Sequence, residues 1–497
     1  MSITIRPAGT VPGTGAGTDE RTGERTASFR WALAALSLSM LLSSLGTSIA
    51  NVGLPALAEA FDASFQEVQW IVLAYLLAIT ALIVSVGRLG DMVGRRRLLL
   101  SGIALFTAAS ALCGIAPTLS MLIAARAAQG LGAAVMMALA MALVGETVPK
   151  ARTGSAMGLL GTTSAIGTAL GPSLGGLLIS GLGWRAIFLA GVPLGILTIV
   201  IAFRALPVDH KRRKGTRPGF DTLGTLLLAL TLAAYALAMT IGRGSFGPLN
   251  MSFLLVAIVA GAHFVFVEAR TASPLLQLTM FRDPVLSAGL AMSALVSTVM
   301  MATLVVGPFY LSHGLRLDPA RVGLVMSAGP LVAALAGVPA GRLVDRLGAQ
   351  PMTVAGLAAI ATGAFLLSLI PAEFGPAGFG IAGYIVPIVT VTAGYALFQA
   401  ANNTAVMKDV GSAERGVVSG MLNLSRNLGL VTGASFMGAV FALASGASEI
   451  AAAAPEAVAA GMRITFAVAA VLIVAALVVA VTSRAFASRT AVPGDVT

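Results

Sequence analysis

The chain has 497 residues, of which 57% are hydrophobic and only 10% are charged. Soluble domains carry about 25% charged residues because their surfaces face water, so this composition excludes a soluble protein. The single cysteine, Cys113, excludes a disulfide scaffold. The net charge of +11 comes from short basic clusters between apolar segments, a distribution typical of membrane loops and not of a nucleic-acid-binding surface. The sequence therefore predicts an all-α polytopic membrane protein.

Fourteen segments reach the roughly 20 apolar residues that a helix needs to cross a bilayer. They divide the chain into an N-terminal six-helix half at 29–205, a basic loop with two inserted helices at 206–270, and a C-terminal six-helix half at 271–484. The tails at 1–28 and 485–497 are predicted to be cytoplasmic, the first of them disordered. About 24 Lys and Arg residues fall on the side of the termini and about 5 on the other, which predicts cytoplasmic termini.

The predicted spans lie near 31–50, 69–87, 98–116, 121–144, 155–179, 186–205, 222–241, 252–269, 286–312, 320–340, 352–370, 381–406, 417–444 and 462–483. An alternative with twelve spans, in which the seventh and eighth segments merge or are re-entrant, remains open.

The two halves repeat each other. Residues 87–91 (Gly-Arg-Leu-Gly-Asp) end the second span and recur at 341–345 (Gly-Arg-Leu-Val-Asp) at the end of the tenth. Three glycines of the fifth span recur in the thirteenth at the same spacing, pairing Gly158, Gly167 and Gly171 with Gly420, Gly429 and Gly433. Paired six-helix halves are a transporter architecture, with a substrate site expected between the halves.

The loop after the second span combines glycine, an aspartate and three arginines. An aspartate beside a turn that glycine permits, followed by arginines, can form a charge-assisted latch between neighbouring helices. An ordinary basic loop would contain the arginines but does not require Asp91 or its copy Asp345. We predict a gating latch, and expect Asp91→Asn to lose most transport while still inserting. Its residues are Gly87, Arg88, Asp91, Gly94, Arg95, Gly341 and Asp345.

Arg126 lies about six residues inside the fourth span, where an arginine costs about 2.5–3.5 kcal/mol. We predict that it faces protein or a water-filled cavity together with Gln129, and snorkelling to the interface is the alternative. The fifth span carries glycines at four-residue spacing, a smooth stripe for close helix packing, sliding, or both. Its motif comprises Gly158, Gly167, Gly171, Pro172, Gly175 and Gly176.

These motifs resemble those of the major facilitator superfamily, and within it the fourteen-helix drug:proton antiporter family, over about residues 30–485. The resemblance implies two six-helix halves plus two extra central helices, alternating access, and proton antiport. The loop at 87–97 looks like the gating motif, and Arg126 with Gln129 looks like the fourth-helix motif linked to proton coupling. The fifth-helix glycines look like the antiporter motif, which implies export. The chain departs from the family at Gly46, where the first helix commonly has an aspartate.

With no acid at position 46, proton coupling would depend on a helix-end acid such as Glu146 or Asp221. If Arg126 and Arg426 both reach the cavity, its field is positive and neutral, zwitterionic or anionic substrates are favoured over cations. If both arginines are satisfied by packing, the cavity is neutral. Polar residues in the spans are candidates for the substrate path: Asn51, Tyr75, Gln129, Tyr395, Gln399, Asn402, Asn403, Asn423, Arg426 and Asn427.

The sequence thus predicts a secondary transporter of the cytoplasmic (inner) membrane that exports small drug-like or amphipathic molecules. A dedicated exporter of one metabolite, siderophore or peptide is the alternative, and a membrane sensor or scaffold is a weaker one because no sizeable soluble domain is present. No nucleotide-binding loop or nucleophile–base arrangement appears, so no enzymatic activity, cofactor or metal is predicted. The expected partners are the substrate, protons and lipid, with a periplasmic adaptor as a further candidate and a monomer as the expected state.

Overall fold

The computed structural model describes residues 17–147, 153–207, 221–241, 247–271, 278–370, 380–408, 410, 415–446 and 453–490. All regular structure in these ranges is helical. The helices are α1 (Gly17–Val52), α2 (Leu54–Phe61), α3 (Phe65–Val93), α4 (Arg95–Ile115), α5 (Leu119–Thr147), α6 (Thr153–Leu182), α7 (Ala186–Leu189), α8 (Gly191–Ala205), α9 (Thr222–Thr240), α10 (Pro248–Glu268), α11 (Pro284–Phe309), α12 (Pro319–Met326), α13 (Ala328–Leu347), α14 (Ala349–Ser368), α15 (Gly380–Met407), α16 (Arg415–Thr432), α17 (Gly438–Ser445) and α18 (Pro455–Thr490).

The fourteen predicted spans are confirmed: within the described ranges, fourteen helical stretches are long and apolar enough to cross a membrane. The seventh and eighth segments are separate helices, α9 and α10, packed against each other. The Asn250 side chain donates to the carbonyl of Ala238 at 2.8 Å and so ties the start of α10 to the end of α9. The twelve-span alternative, with these segments merged, is therefore wrong.

The predicted tails differ from the structure at their inner edges. Helix α1 begins at Gly17, although residues 1–28 were expected to be disordered, and α18 continues to Thr490. Residues 17–28 contain no proline and carry Glu, Arg and Ala, which favour helix, so the span extends backwards past the apolar segment. The rest of both tails lies outside the described residues.

Several spans are interrupted. The tenth span breaks at Ser327 between α12 and α13, and the first span ends just before Gly53, beyond which the short helix α2 follows. Two single π-helical turns, Tyr310–Gly314 and Gly433–Met437, extend α11 and join α16 to α17. Turns of this kind are frequent at functional sites in helices. Pro172 lies inside α6, which is continuous.

The core is largest where the two halves meet. Its main cluster contains Phe65 of the N-terminal half with Phe309 and Phe441 of the C-terminal half, each at most 2% exposed. We call the end of the bundle that carries these three rings the aromatic end. We call the opposite end, where α3 turns into α4 at Gly94 and α13 turns into α14 at Gly348, the Gly94 end.

Candidate functional site

The predicted latch loop begins with two matching turns. Gly94 has φ 105° and Gly348 has φ 89°, values that favour glycine, and each residue separates two helices that reverse direction. Asp345 is exposed and makes no hydrogen bond or ion pair with the described residues. In contrast, Arg96 stacks its guanidinium 5.3 Å from the ring centre of Phe203. The side chains of Arg88 and Asp91 lie outside the described part of the chain, so the latch stays a prediction.

Arg126 is fully buried inside the N-terminal half. Its Nε donates to the carbonyl of Ile71 at 2.9 Å, and its Nη1 donates to the carbonyl of Gly46 at 3.1 Å and to Gln129. The guanidinium lies 4.2 Å from the ring centre of Tyr75. Such cation–π contacts are worth about 2 kcal/mol when desolvated. The side chain therefore bonds inward to α1 and α3 and does not extend to the end of its helix.

A second layer holds this arginine in place. Gln129 donates to the hydroxyl of Ser110 at 2.7 Å, and Ser110 donates to the carbonyl of Phe106 at 2.7 Å. The hydroxyl of Tyr75 donates to the carbonyl of Ser43 at 2.8 Å. The network therefore joins α1, α3, α4 and α5, and Tyr75 and Gln129 act as supports of Arg126 more than as surfaces of an open path.

The glycine stripe of α6 packs on α1. A Cβ atom at Gly167 would lie 2.6 Å from the carbonyl oxygen of Leu41, and one at Gly175 would lie 2.6 Å from Val52. The repeated stripe in the C-terminal half packs on α11 in the same way, since a Cβ at Gly429 would overlap the carbonyl oxygen of Ala294. Distances this short leave no room for a side chain, so each stripe fixes one helix pair within its own half.

A different face of α6 packs against α12 of the C-terminal half. A Cβ at Gly176 would overlap the carbonyl oxygen of Pro319 and lie 3.0 Å from Cα of Gly323. A Cβ at Gly323 would in turn overlap the carbonyl oxygen of Pro172 and lie 2.9 Å from Cα of Gly176. We call this contact between α6 and α12 the glycine crossing. Gly176 was predicted from its motif, whereas Gly323 was missed.

The pseudo-symmetric contact joins α17 to α3. The repeat that aligns Gly171 with Gly433 also aligns Gly176 with Gly438, because both pairs are five residues apart. The repeat that aligns Gly87 with Gly341 also aligns Gln69 with Gly323. A Cβ at Gly438 would overlap the side-chain nitrogen of Gln69. We call this contact the glutamine crossing. Extending the two sequence repeats by a few residues would have indicated both crossings.

The glutamine crossing contains an unpaired amide. Gln69 is 1% exposed, and neither its side-chain nitrogen nor its oxygen has a hydrogen-bond partner in the described structure. Close by, the ring of Phe65 packs edge-on against Phe309 at 4.7 Å and against Phe441 at 5.2 Å between centres. The two crossings and this aromatic cluster together close the aromatic end.

The predicted substrate-path residues fall into two groups. Asn51, Tyr75, Gln129, Asn402 and Asn427 are buried, and Asn402 donates to the carbonyl of Gly289 at 3.1 Å as a bridge between helices. The accessible group comprises Asn403, which is exposed, and four partly exposed residues: Tyr395, Gln399, Asn423 and Arg426.

Arg426 differs from Arg126 in its surroundings. It donates to Asn423 at 2.8 Å and is partly exposed. Arg126 lines a cleft formed only by the N-terminal half, so the two arginines do not share that cleft.

Of the predicted coupling acids, Asp221 caps α9 and accepts from the backbone of Gly224 at 2.7 Å. Glu268, at the end of α10, was not predicted and is 2% exposed. A Cβ at Gly224 would lie 2.5 Å from Oε1 of Glu268 and 2.6 Å from Oδ2 of Asp221, so the two carboxyl groups flank one glycine. The surroundings of Glu146 and Gly158 lie outside the described residues.

Comparison with known proteins agrees with this architecture. Residues 36–434 match the sequence model of the Major Facilitator Superfamily. The chain is 31% identical over 421 residues to the multidrug resistance protein Stp of Mycobacterium tuberculosis, covering 82% of this chain and 75% of that one. It is 29% identical over 410 residues to the riboflavin transporter RibZ of Clostridioides difficile, covering 82% and 87%.

Among solved structures, the fold is similar to that of a bacterial homologue of the human lysosomal transporter Spinster, in its inward-facing, unoccupied form. The TM-score is 0.66 at 17% identity, covering 93% of this chain and 98% of that chain. A family match over most of the length and the identity to Stp confirm the resemblance found in the sequence motifs. The chain belongs to the major facilitator superfamily.

Proposed function

We propose that this chain exports small drug-like or amphipathic molecules by alternating access between the two halves. The observation that carries the proposal is the contrast between the two ends of the bundle. At the aromatic end, the glycine crossing brings backbone against backbone and the glutamine crossing brings Gly438 against the Gln69 amide, while three buried rings fill the space between the halves. Toward the Gly94 end, the buried apolar side chains form one cluster within the N-terminal half and a separate one within the C-terminal half.

This contrast supports a state that is closed at the aromatic end and separated at the Gly94 end. Arg95, Arg96 and Arg97 follow Gly94 directly at this end, so the positive-inside rule predicts that the Gly94 end faces the cytoplasm. The substrate would then enter from the cytoplasm or the inner leaflet, and opening of the aromatic end would release it outside.

Orientation is tested by cysteine labelling, since Cys113 is buried and can be replaced by alanine. In that background, Leu182→Cys reports the aromatic end and Leu347→Cys the Gly94 end, both at well exposed positions. We expect an impermeant maleimide added to intact cells to label position 182 and not 347. Labelling of position 347 and not of position 182 would show that the orientation is opposite to the proposed one.

Export itself is tested in inverted membrane vesicles with an imposed proton gradient and a panel of cationic, zwitterionic and anionic dyes. We expect accumulation that requires the gradient and is lost in Gly176→Leu. The matched control is Gly161→Leu on the same helix, where nothing lies within 4 Å of a Cβ. Export is contradicted if dye accumulation is equal in the wild type and both variants, or if it is the same in vesicles with and without the protein.

The second candidate function is dedicated export of one metabolite. It is favoured by the similarity to a protein named as a riboflavin transporter at nearly the same level as the similarity to a multidrug resistance protein. Susceptibility and efflux panels separate the two. A response to several unrelated compounds supports multidrug export, and a response to one compound alone supports the dedicated exporter.

We further propose that export is coupled to proton antiport and that Asp221 and Glu268 bind and release the proton. Their carboxyl groups lie together between α9 and α10, at the Gly94 end, and both are largely buried. We expect Asp221→Asn to lose substrate-driven proton movement by at least about tenfold while substrate exchange persists. The control is Asp62→Asn, whose carboxyl group is exposed at the aromatic end and whose left-handed backbone suits asparagine equally well. Unchanged proton movement in both Asp221→Asn and Glu268→Gln assigns the coupling elsewhere.

A further inference from the structure

A cleft inside the N-terminal half surrounds the guanidinium of Arg126. It is narrow: the centre of a water-sized sphere has a volume of about 10 Å³ in which to move, which is about the space of one water or one small ion. Its polar lining is Arg126, Gln129, Ser110 and the backbone of Gly46. The remaining walls are apolar side chains of α1, α4 and α7, with Gly191 at the start of α8. The two crossings are not part of it.

The positive charge in this cleft has no described counterion. Two of the three guanidinium nitrogens bond to neutral oxygens, the carbonyls of Ile71 and Gly46 and the amide oxygen of Gln129. Its nearest titratable neighbours are Cys113 and Tyr75, which are uncharged at neutral pH. Neutral oxygens satisfy hydrogen bonds but leave the charge itself uncompensated, and an uncompensated buried charge is costly.

One donor remains unused. Nη2 of Arg126 is buried and has no acceptor in the described structure, although the residue is 0% exposed. The neighbouring polar groups are already committed, because Gln129 donates to Ser110 and Ser110 donates to Phe106. A guanidinium with one free edge in an apolar cleft is the arrangement that binds a small anion, through a charge-assisted hydrogen bond.

We propose that this cleft binds a small monovalent anion, with Nη2 of Arg126 as its ligand. The anion would be a halide or a carboxylate. It would come either as a free ion from solution or as the carboxylate group of a larger solute. The proposal concerns binding and does not require that the chain exports anything, so failure of the proposed export would leave it standing.

Position 46 offers a matched pair of variants. A Cβ there would lie 3.1 Å from Cζ of Phe106 and 3.2 Å from the hydroxyl of Tyr75, so a side chain at this position enters the same cleft at the cost of a small shift of the Phe106 ring. Gly46→Asp supplies an internal carboxylate to Arg126, whereas Gly46→Asn has the same size and no charge. The comparison isolates charge from volume.

The experiment measures thermal unfolding of the purified full chain in sodium salts of equal ionic strength, with gluconate as the reference. We expect chloride or formate to raise the Tm of the wild type by at least about 2 °C at saturation. We expect Gly46→Asp to have a higher Tm than Gly46→Asn in gluconate and to lose the response to anions. Benzoate measured against benzamide then tells a carboxylate on a larger solute from a free anion.

Three results would overturn the proposal. The first is a wild-type Tm that is the same in gluconate, chloride, formate and benzoate. The second is an anion response in Gly46→Asp equal to that of the wild type, which would place the anion elsewhere. The third is equal Tm values of Gly46→Asp and Gly46→Asn in gluconate. A rise with benzoate alone supports a carboxylate-bearing solute, and a rise with chloride as well supports a free anion.

Discussion

The glycine crossing and the glutamine crossing occupy equivalent places in the two halves, yet their chemistry differs. In the first, Gly176 meets Gly323 and only backbone atoms touch. In the second, Gly438 meets Gln69, whose amide is buried without a partner in the described structure. Leaving a buried polar group unsatisfied costs about 1–3 kcal/mol, so the glutamine crossing is the less stable of the two when the aromatic end is closed.

Under the proposed alternating access, this difference predicts distinct roles for the two contacts. A crossing of two glycines is a smooth surface on which α6 and α12 can slide while staying close. A crossing that carries an unpaired amide gains hydrogen bonds when water enters, so it favours opening. We infer that the aromatic end opens first at the glutamine crossing, while the glycine crossing serves as the pivot.

The largest effect is expected from filling the glycine crossing. Gly176→Leu places a side chain where backbone atoms of Pro319 and Gly323 lie, and overpacking costs about 1–3 kcal/mol or more. We expect efflux to fall at least about tenfold with normal membrane insertion, measured in vesicles against Gly161→Leu. Near-normal efflux in Gly176→Leu would show that the close contact is not needed.

A smaller, rescuable loss is expected at the glutamine crossing. Gly438→Ala drives a methyl group into the Gln69 amide, which can move because it ends a flexible side chain. We expect efflux to fall about threefold and to recover within twofold in the double variant Gly438→Ala/Gln69→Ala. Gly176→Ala has no side chain opposite it to shorten, so no such rescue is available there. Additive losses in the double variant would mean that the two residues do not couple.

A gain of closure is expected from Gln69→Met, which keeps the shape and removes the unpaired amide. The readout is maleimide labelling of Leu311→Cys in the Cys113→Ala background, since Leu311 is 0% exposed when the aromatic end is closed. We expect labelling to slow by about three- to tenfold. Gln66→Met is the matched control with one unpartnered atom instead of two, so its effect should be smaller. Faster labelling in Gln69→Met would refute the opening role.

The smallest effect is expected from Phe65→Leu, which keeps apolar volume at the aromatic end and removes two ring contacts. Such ring pairs contribute about 0.5–1.5 kcal/mol each beyond burial. We expect labelling of the same reporter to quicken by about fivefold, which corresponds to the lower end of that range for both pairs together, opposite in sign to Gln69→Met. An increase in the labelling rate well beyond the size of the decrease in Gln69→Met would mean that the rings, and not the crossings, hold the end closed.

Much of this architecture was predictable from the sequence. Spans were found because a helix that crosses hydrocarbon needs about 20 apolar residues, a signal that depends on composition alone. The turns at Gly94 and Gly348 followed from local motif repeats. The close contacts of Gly167, Gly171 and Gly175 were indicated by their spacing, although their partner on α1 was not.

The sequence by itself determined that the chain has fourteen spans in two repeated halves, with an arginine inside the fourth. Only the tertiary structure decided that Arg126 bonds to Gly46 and Ile71, and that Gly323 and Gln69 are equivalent positions meeting different partners. The physical reason is one of range. Hydropathy and glycine spacing act within one helix, whereas the partner of each glycine depends on how helices that are distant in the sequence pack against one another.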